Sequence, residues 1–408
     1  MSVTRRGFLS RLGAPGGVAL DAAVDGRLIA ARGLEAESAE AWQQAGGRRG
    51  GPPAAPREGQ PPSIKISSNE NPVGPGKAVL DAIVAQFGEA GRYPFNAKVG
   101  DRKLVETIAA LHKVKPENVL LGAGSQEILK TAVWGFTSPA RHLVTATPTF
   151  ENATNVARRM GHPVVEIKVD SQFRLDLEGM LTTVRGAGLV FVNNPNNPTA
   201  TVHSAKTITD FVERVRRISP DTVILIDEAY HEYVTDPAYE TAIPLAMATP
   251  NVFVARTFSK AYGMAGMRIG YAIGGGDTIK PLARLGMPYN ISVLGVAAAI
   301  AALGDPKHME AERARNTEVR TFTQKALEDL GCKCTASQAN FLFVDVGRTA
   351  AEFRSGCGAQ GIQVGRDFPP FEGSHARISL GTMAEMQKAT AVFRDVLRPA
   401  NGAGGGGR

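Results

Sequence analysis

Cysteine is scarce in this sequence, which has only three cysteines among 408 residues. They are Cys332, Cys334 and Cys357, and the first two lack the two-residue gap and the histidine partners of a typical zinc site. We therefore expect neither a disulfide framework nor a bound metal. The cysteine count leaves the compartment open, because large exported enzymes also manage without disulfides.

Long hydrophobic runs are also missing. No run approaches the ~18 apolar residues that span a bilayer, so we expect no stable membrane insertion.

The net charge is +7, from 46 Lys plus Arg against 39 Asp plus Glu. Part of this excess lies in the first ~60 residues, and a charged tail is usually just solvated. Because RNP, zinc-finger and basic-helix patterns are absent too, we expect no nucleic-acid partner.

The beginning of the chain resembles an export signal. The segment TRRGFLS at 4–10 fits the twin-arginine pattern, in which two arginines precede an apolar stretch. Here that stretch, at 12–20, is short and glycine-rich and is soon followed by charged residues. The sequence favours export to the periplasm, and the alternative is a cytoplasmic enzyme with a basic leader.

The length predicts two domains, since 408 residues exceed one ordinary core and 43% apolar residues suffice for two. Glycine and proline are too dense at 46–62 for a core to form there. We predict a leader and disordered linker at 1–62, an N-terminal arm and small-domain segment at 63–92, a large domain at 93–300, a C-terminal small domain at 301–399 and a disordered tail at 400–408.

The large domain has the pattern of an α/β protein. Between about 78 and 300, helical-period segments alternate with short apolar runs such as GLVFVNNP at 188–195 and TVILIDEAY at 222–230. Apolar runs of this length, bounded by turn residues, are typical of parallel strands buried on both faces. After Pro306, a long charged helix and fewer buried runs predict a smaller α+β domain.

Ligands of open α/β sheets bind beyond the carboxyl ends of the strands, so the residues that follow each apolar run are candidates for a binding site. Asp227 comes directly after one such run. A strand-end cap or a metal-binding aspartate of a nucleotide hydrolase would give the same local pattern. The missing GxxxxGK[ST] loop argues against the nucleotide hydrolase.

Lys260 lies at the end of another apolar run, in the segment RTFSKAYGMAGMR at 256–268. Hydroxyl, backbone N–H and guanidinium groups around a lysine are what a phosphorylated aldehyde cofactor requires: they grip the phosphate while the amine forms the imine. Burial and neighbouring positive charge should lower the pKa of this lysine.

Two further strand ends complete the set. The turn NNPNNPT contains Asn197, and the glycine loop LGAGSQE opens a helix at Gly124 and Ser125, which favours an anion there. Asn197, Asp227 and Lys260 follow one another at intervals of about one strand-plus-helix unit, so they should lie on one edge of one sheet. That edge is the predicted active site.

With these motifs the sequence resembles the fold-type-I pyridoxal-phosphate (PLP) aminotransferases, most closely histidinol-phosphate aminotransferases. The likeness includes SSNENPVGP at 67–75, GAGSQE at 122–127, NNPNNPT at 193–199, DEAY at 227–230 and TFSKAYGMAGMRIGY at 257–271. The resemblance implies the PLP-transferase fold type I, an α/β fold: a large domain with a mainly parallel sheet flanked by helices, plus a smaller α+β domain.

The resemblance also implies roles at the cofactor ring. Lys260 would hold the cofactor as a Schiff base and act as the general acid and base. Asp227 would pair with the pyridinium nitrogen, and Tyr230 and Asn197 would hydrogen-bond the ring's 3′ oxygen. Phe150 would stack on the ring face.

Other residues would hold the phosphate and the substrate. By the resemblance, Gly124, Ser125, Ser259 and Arg268 bind the phosphate, and Tyr93 reaches the phosphate of a neighbouring subunit, which implies a homodimer with shared sites. The substrate-binding candidates are Arg377, which would grip an α-carboxylate with a two-pronged fork, together with Arg366 and Asn71.

The sequence departs from the family pattern at three positions. Phe150 stands where a tyrosine is usual, Ala200 replaces the glycine after NPT, and Gly365 interrupts a Val-Arg-Asp segment. In the family that this sequence resembles, the arginine of that segment helps to bind a distal phosphate or the γ-carboxylate of glutamate, so the inserted glycine puts the position of Arg366 in question.

The predicted function is therefore amino-group exchange between an amino acid, glutamate first of all, and a histidinol-phosphate-like, aromatic or related oxo substrate. A PLP-dependent decarboxylase or racemase of the same fold uses the same lysine and aspartate and is one alternative. A non-catalytic binding protein that retains the fold is the alternative from another class.

Overall fold

The computed structural model describes residues 64–398. Their largest feature is a seven-stranded sheet in the order β2-β8-β7-β6-β5-β3-β4, in which only β8 runs antiparallel to its neighbours. Its strands are β2 Val119–Gly122, β3 Leu143–Thr147, β4 Val164–Lys168, β5 Leu189–Asn193, β6 Val223–Asp227, β7 Val252–Thr257 and β8 Gly270–Gly274.

The central strands are apolar because both faces of the sheet are covered. Every residue of β5, β6, β7 and β8 is buried. Along β6 the side chains alternate: Ile224 and Ile226 pack in one hydrophobic cluster, and Leu225 packs in another on the opposite face. This arrangement confirms the predicted α/β fold with a mainly parallel sheet.

The helices that cover the sheet have the expected one-sided apolar stripe. In α6, the buried residues Ile208, Phe211, Val212 and Val215 follow the helical period, and the Ser204 side chain caps the first turn. The helices are α1 Lys77–Ala85, α2 Asp101–His112, α3 Ser125–Phe136, α4 Asn152–Arg159, α5 Leu177–Leu181, α6 Ala205–Ile218, α7 Ile243–Ala248, α8 Gly276–Leu285, α9 Val293–Leu303, α10 Pro306–Glu328, α11 Ala350–Ala359 and α12 Met383–Leu397.

The fold also contains two small sheets. An antiparallel sheet has the order β12-β10-β9, and a parallel pair joins β1 near the start of the described chain to β11. The bounds are β1 Ile64–Ile66, β9 Lys333–Cys334, β10 Phe341–Asp345, β11 Ile362–Val364 and β12 His375–Ser379. These strands share a separate hydrophobic core with α10, α11 and α12, so the small α+β unit includes the segment at 64–66.

The predicted leader and linker at 1–62 and the tail at 400–408 lie outside the described residues. The signal for export, the compartment and the boundaries at 92 and 300 stay predictions. Within 64–398, no helix is both long and apolar enough to cross a membrane.

Candidate active site

A cavity of about 290 Å³ opens at the carboxyl ends of β5, β6 and β7. Parallel strands end together at one edge of a sheet, so residues distant in the sequence meet there. The cavity is lined by Ser68, Asn69, Glu70, Ser125, Gln126, Phe150, Asn193, Asn197, Asp227, Ala229, Tyr230, Thr257, Ser259, Lys260, Ala265, Arg268, Arg366 and Arg377. Ten residues predicted from the sequence are among them.

Asp227 is the last residue of β6 and is only 2% exposed. Its Oδ1 atom is buried and has no hydrogen-bond partner within the described chain. Burial raises the pKa of this carboxyl to about 7, and a hydrogen bond from the Ala229 backbone opposes the shift. Burying a carboxylate oxygen without a hydrogen-bond donor costs free energy, so a bound molecule with an N–H or cationic group beside Asp227 would stabilise the site.

Lys260 follows β7, and its Nζ atom donates to the Ser68 carbonyl at 3.2 Å. Burial, helped by the positive charges of Arg377 and Arg268, lowers the pKa of its amine to about 8, although the charges of Glu70 and Asp227 oppose the shift. A larger share of the amine is therefore neutral near pH 8 than in an ordinary lysine, as a nucleophile or proton carrier requires.

The start of α3 forms an anion cradle. Gly124 has φ 74°, a backbone conformation that favours glycine, and a Cβ atom placed on it would lie 2.3 Å from Nη2 of Arg268 and displace the guanidinium. Arg268 in turn donates from Nη1 to Oγ of Ser259 at 3.2 Å. Ser125, at the first turn of α3, lines the cavity beside them. A helix N-terminus, a hydroxyl group and a guanidinium together suit a phosphate.

Tyr230 and Asn197 lie on the other side of the cavity. The buried Tyr230 hydroxyl accepts from Asn69 Nδ2 at 3.1 Å, and burial raises its pKa to about 12. Asn197 Oδ1 accepts from Arg377 Nη1 at 2.7 Å. Phe150 contributes an aromatic side chain to the wall.

Three predicted residues are not among those that line the cavity. Gly124 lies beside it in the anion cradle, and the other two lie elsewhere. Asn71 is held by the backbone, since its Nδ2 donates to the Ala261 carbonyl at 2.9 Å and its Oδ1 accepts from the Val73 amide at 3.0 Å. It is not among the residues that line the cavity. Tyr93 is 60% exposed and stacks against Phe95, also outside the cavity of its own chain.

Sequence reasoning missed Asn69, whose amide bridges Tyr230 and, through Oδ1, the Ser379 hydroxyl at 2.7 Å. The signal was present, because Asn69 belongs to the same SSNENP segment as Asn71. Asn69 has φ 55°, in the left-handed region, and it lines the cavity, whereas Asn71 does not. Among residues 64–398, no group of His, Cys, Asp and Glu side chains could hold a metal ion.

The side chains fit pyridoxal 5′-phosphate. Its pyridine N–H would satisfy the unpaired oxygen of Asp227, and its phosphate matches the cradle of Ser125, Ser259 and Arg268. Its aldehyde needs a neutral amine, which Lys260 supplies. The fold and the cavity thus define a site for an aromatic phosphate cofactor joined to a lysine.

Comparison with known proteins agrees with this site. Residues 61–393 match the family model of aminotransferase class I and II. Histidinol-phosphate aminotransferase of Moorella thermoacetica is 33% identical over 82% of this chain and 85% of that protein. Aromatic amino acid aminotransferase of Rhodococcus erythropolis is 35% identical over 77% of this chain and 86% of that protein.

A solved structure is also similar: histidinol-phosphate aminotransferase of Sinorhizobium meliloti in complex with pyridoxal-5′-phosphate. It has a TM-score of 0.77 and 29% identity, with 83% of this chain and 92% of that chain covered. The chain belongs to the class I and II aminotransferase family. It is a PLP-dependent transaminase, which confirms the predicted reaction and cofactor; the decarboxylase, racemase and non-catalytic alternatives are not favoured.

The lowered pKa of Lys260 leads to a prediction for the cofactor-free protein. Acetylation of Lys260, followed by peptide mass spectrometry across pH values, should accelerate as the amine loses its proton, with a midpoint near pH 8. Arg377→Gln should move the midpoint to higher pH, because it removes the positive charge that lowers the pKa of Lys260 most. Arg214→Gln, which breaks an ion pair outside the cavity, should not. A midpoint near 10.5, the ordinary lysine value, would contradict this electrostatic account.

Proposed function

We propose that this transaminase moves an amino group between a dicarboxylic amino acid, glutamate, and a histidinol-phosphate-like or aromatic oxo substrate. The observation that carries the proposal is a pair of arginines in the wall of the Lys260 cavity. The guanidinium carbons of Arg366 and Arg377 lie 4.3 and 4.8 Å from the ring centroid of Phe368. Two such cations suit a substrate with an acidic group at each end, and the names of the relatives support the acceptor class.

Arg377 is suited to the α-carboxylate. It is 7% exposed. Its Nη1 donates to Asn197 Oδ1 at 2.7 Å, and its Nη2 donates to the Ser67 carbonyl at 2.6 Å. Its buried Nε has no partner among the described residues. These contacts fix the guanidinium plane beside Lys260. A carboxylate that pairs with this buried cation gains a strong, charge-assisted interaction.

Arg366 is suited to the distal acidic group, and Gly365 does not remove it from the cavity. The Gly365 amide donates to the Arg377 carbonyl at 3.0 Å, and a Cβ atom on Gly365 would lie 2.6 Å from that oxygen. The glycine therefore lets the chain after β11 run close against β12. This contact supports a placement in which both arginines face one cavity.

The remaining roles follow from the geometry. Bound PLP withdraws electrons from the substrate's Cα–H bond. Lys260 would carry the Cα proton, since its amine lies in this cavity and has a lowered pKa. Asp227 would keep a proton on the ring nitrogen, because its unpaired oxygen requires that donor. Tyr230 and Asn197 would orient the ring oxygen.

Substitution of Arg366 tests the proposed donor. Arg366→Gln should raise KM for glutamate by roughly tenfold or more, because the γ-carboxylate loses a charged partner. KM for phenylalanine, which has no distal charge, should change much less. Arg214→Gln, in an ion pair with Glu178 outside the cavity, is the matched control. Equal effects on the two amino acids would contradict distal binding by Arg366.

We also propose a homodimer. Tyr93, Phe95 and Tyr289 are 60%, 51% and 60% exposed and contact one another, with 4.8 Å between the ring centroids of Tyr93 and Tyr289. An exposed aromatic cluster of this kind is typical of a protein interface. Sedimentation equilibrium should give twice the 43.1 kDa chain mass, and a monomer at assay concentration would contradict the proposal.

A further inference from the structure

Glu151 lies next to Phe150 in the sequence and reaches Arg366. Its Oε2 accepts from Nη2 of Arg366 at 2.8 Å, and the two side chains are 25% and 34% exposed. The pair joins positions 215 residues apart in the chain. The guanidinium proposed to receive the substrate's distal group thus already holds a carboxylate of the protein.

Arg366 also contacts its own chain neighbours. Its Nη1 donates to the Asp367 carbonyl at 2.9 Å, and its guanidinium lies over the Phe368 ring. A carboxylate that arrives with a substrate would compete with Glu151 for Nη2. Both are the same chemical group, so the protein's own carboxylate is a direct competitor of a dicarboxylic substrate.

The backbone of Glu151 is held independently of its side chain. Its backbone carbonyl accepts from the Asn155 amide at 2.9 Å and from the Thr154 hydroxyl at 3.0 Å, which holds the residue at the start of α4. The side chain is partly open to water, so a displaced carboxylate would be hydrated rather than buried.

The substrate-binding charges also influence one another. Burial is the main cause that lowers the pKa of Arg377 to about 10. The charge of Arg366 acts in the same direction, and Tyr230 and the charge of Glu151 oppose the shift. The Glu151 carboxylate therefore lowers the positive potential that an acidic substrate meets in the cavity.

We propose that Glu151 determines substrate specificity by occupying Arg366 until a substrate with a distal anion displaces it. A substrate without a distal charge leaves the ion pair closed. Glu151 thereby lets one cavity accept both an acidic donor and an uncharged aromatic or imidazole-like side chain, at some loss of affinity for the acidic one. This inference rests on the proposed function.

The test compares glutamate and phenylalanine in single-turnover conversion of the holoenzyme, followed by the absorbance of the bound cofactor. Glu151→Gln keeps the shape and removes the charge. It should raise the ratio of kcat/KM for glutamate to that for phenylalanine by about fivefold, a size expected for a partly exposed ion pair. In the Arg366→Gln background the same change should alter the ratio by less than about twofold, because the contested cation is gone.

Glu166→Gln is the matched control, since Glu166 pairs with Arg158 at 2.6 Å outside the cavity. An unchanged or lowered ratio in Glu151→Gln would overturn the inference while leaving the proposed function intact. If the wild type converts phenylalanine but neither it nor Glu151→Gln converts glutamate, the acidic donor and this inference are both wrong. A wild type inert toward both amino acids, with PLP bound, would reject the proposed function itself.

Discussion

Lys260→Ala should lower the rate of amino-group transfer by at least ~10³-fold, since proton transfer by a positioned side chain alone contributes about 10²- to 10⁴-fold. The variant also loses the amine that joins the cofactor to the protein. The fold should persist, because among residues 64–398 the lysine side chain forms a single hydrogen bond, to the Ser68 carbonyl. The measurement is single-turnover conversion of glutamate with PLP in excess, together with thermal unfolding.

Lys130→Ala is the control for this experiment. Lys130 lies on α3 over the Trp134 ring, 4.2 Å from its centroid, and does not line the cavity. Its replacement should leave turnover near the wild-type value. If Lys260→Ala retained more than about a tenth of the wild-type rate, Lys260 would not be the proton carrier.

Asp227→Asn should cost the second-largest loss, about 10²- to 10³-fold in kcat, the size found when a preorganised charge partner is removed. The amide can no longer hold a proton on the ring nitrogen by its charge, and PLP should dissociate more readily. Turnover and PLP retention after gel filtration measure the two effects. Asp210→Asn, an exposed carboxylate paired with Lys206, is the matched control.

The same variant should be more stable than the wild type when both lack the cofactor. The Asp227 carboxyl has its pKa raised from 3.8 to about 7 in the folded protein, so the folded state binds more protons than the unfolded state between those values. Its ionisation therefore destabilises the fold as pH rises from about 4 to 7. The stability gain of Asp227→Asn should be near zero at pH 4 and largest above pH 7, at most about 4 kcal/mol. A stability gain that did not depend on pH would contradict the raised pKa of Asp227 in the folded protein.

Much of the site was predictable because its residues follow buried strands. Asp227 and Lys260 come after apolar runs whose length identifies the strands, and parallel strands bring their carboxyl ends together. Gly124 was recognisable since a glycine that opens a helix signals close approach of another group. In each case a short stretch of sequence is enough to predict where the residue lies in the fold.

Other parts depend on three-dimensional contacts that local patterns do not contain. Asn69 and Asn71 differ by two positions, and Asn69, whose backbone is left-handed, is the one that reaches Tyr230. The effect of Gly365 on Arg366 required the packing of β11 against β12. The ion pair of Glu151 with Arg366 joins two segments whose proximity results from the folding of the small unit onto the sheet edge.

The most direct test of the account is to identify the lysine that carries the cofactor. Borohydride reduction of the holoenzyme makes the lysine–cofactor bond permanent, and peptide mass spectrometry then locates it. The account predicts the phosphopyridoxyl group on the peptide that contains Lys260 and on no other. Attachment to a different lysine, or no attachment in protein that turns over amino acids, would contradict it.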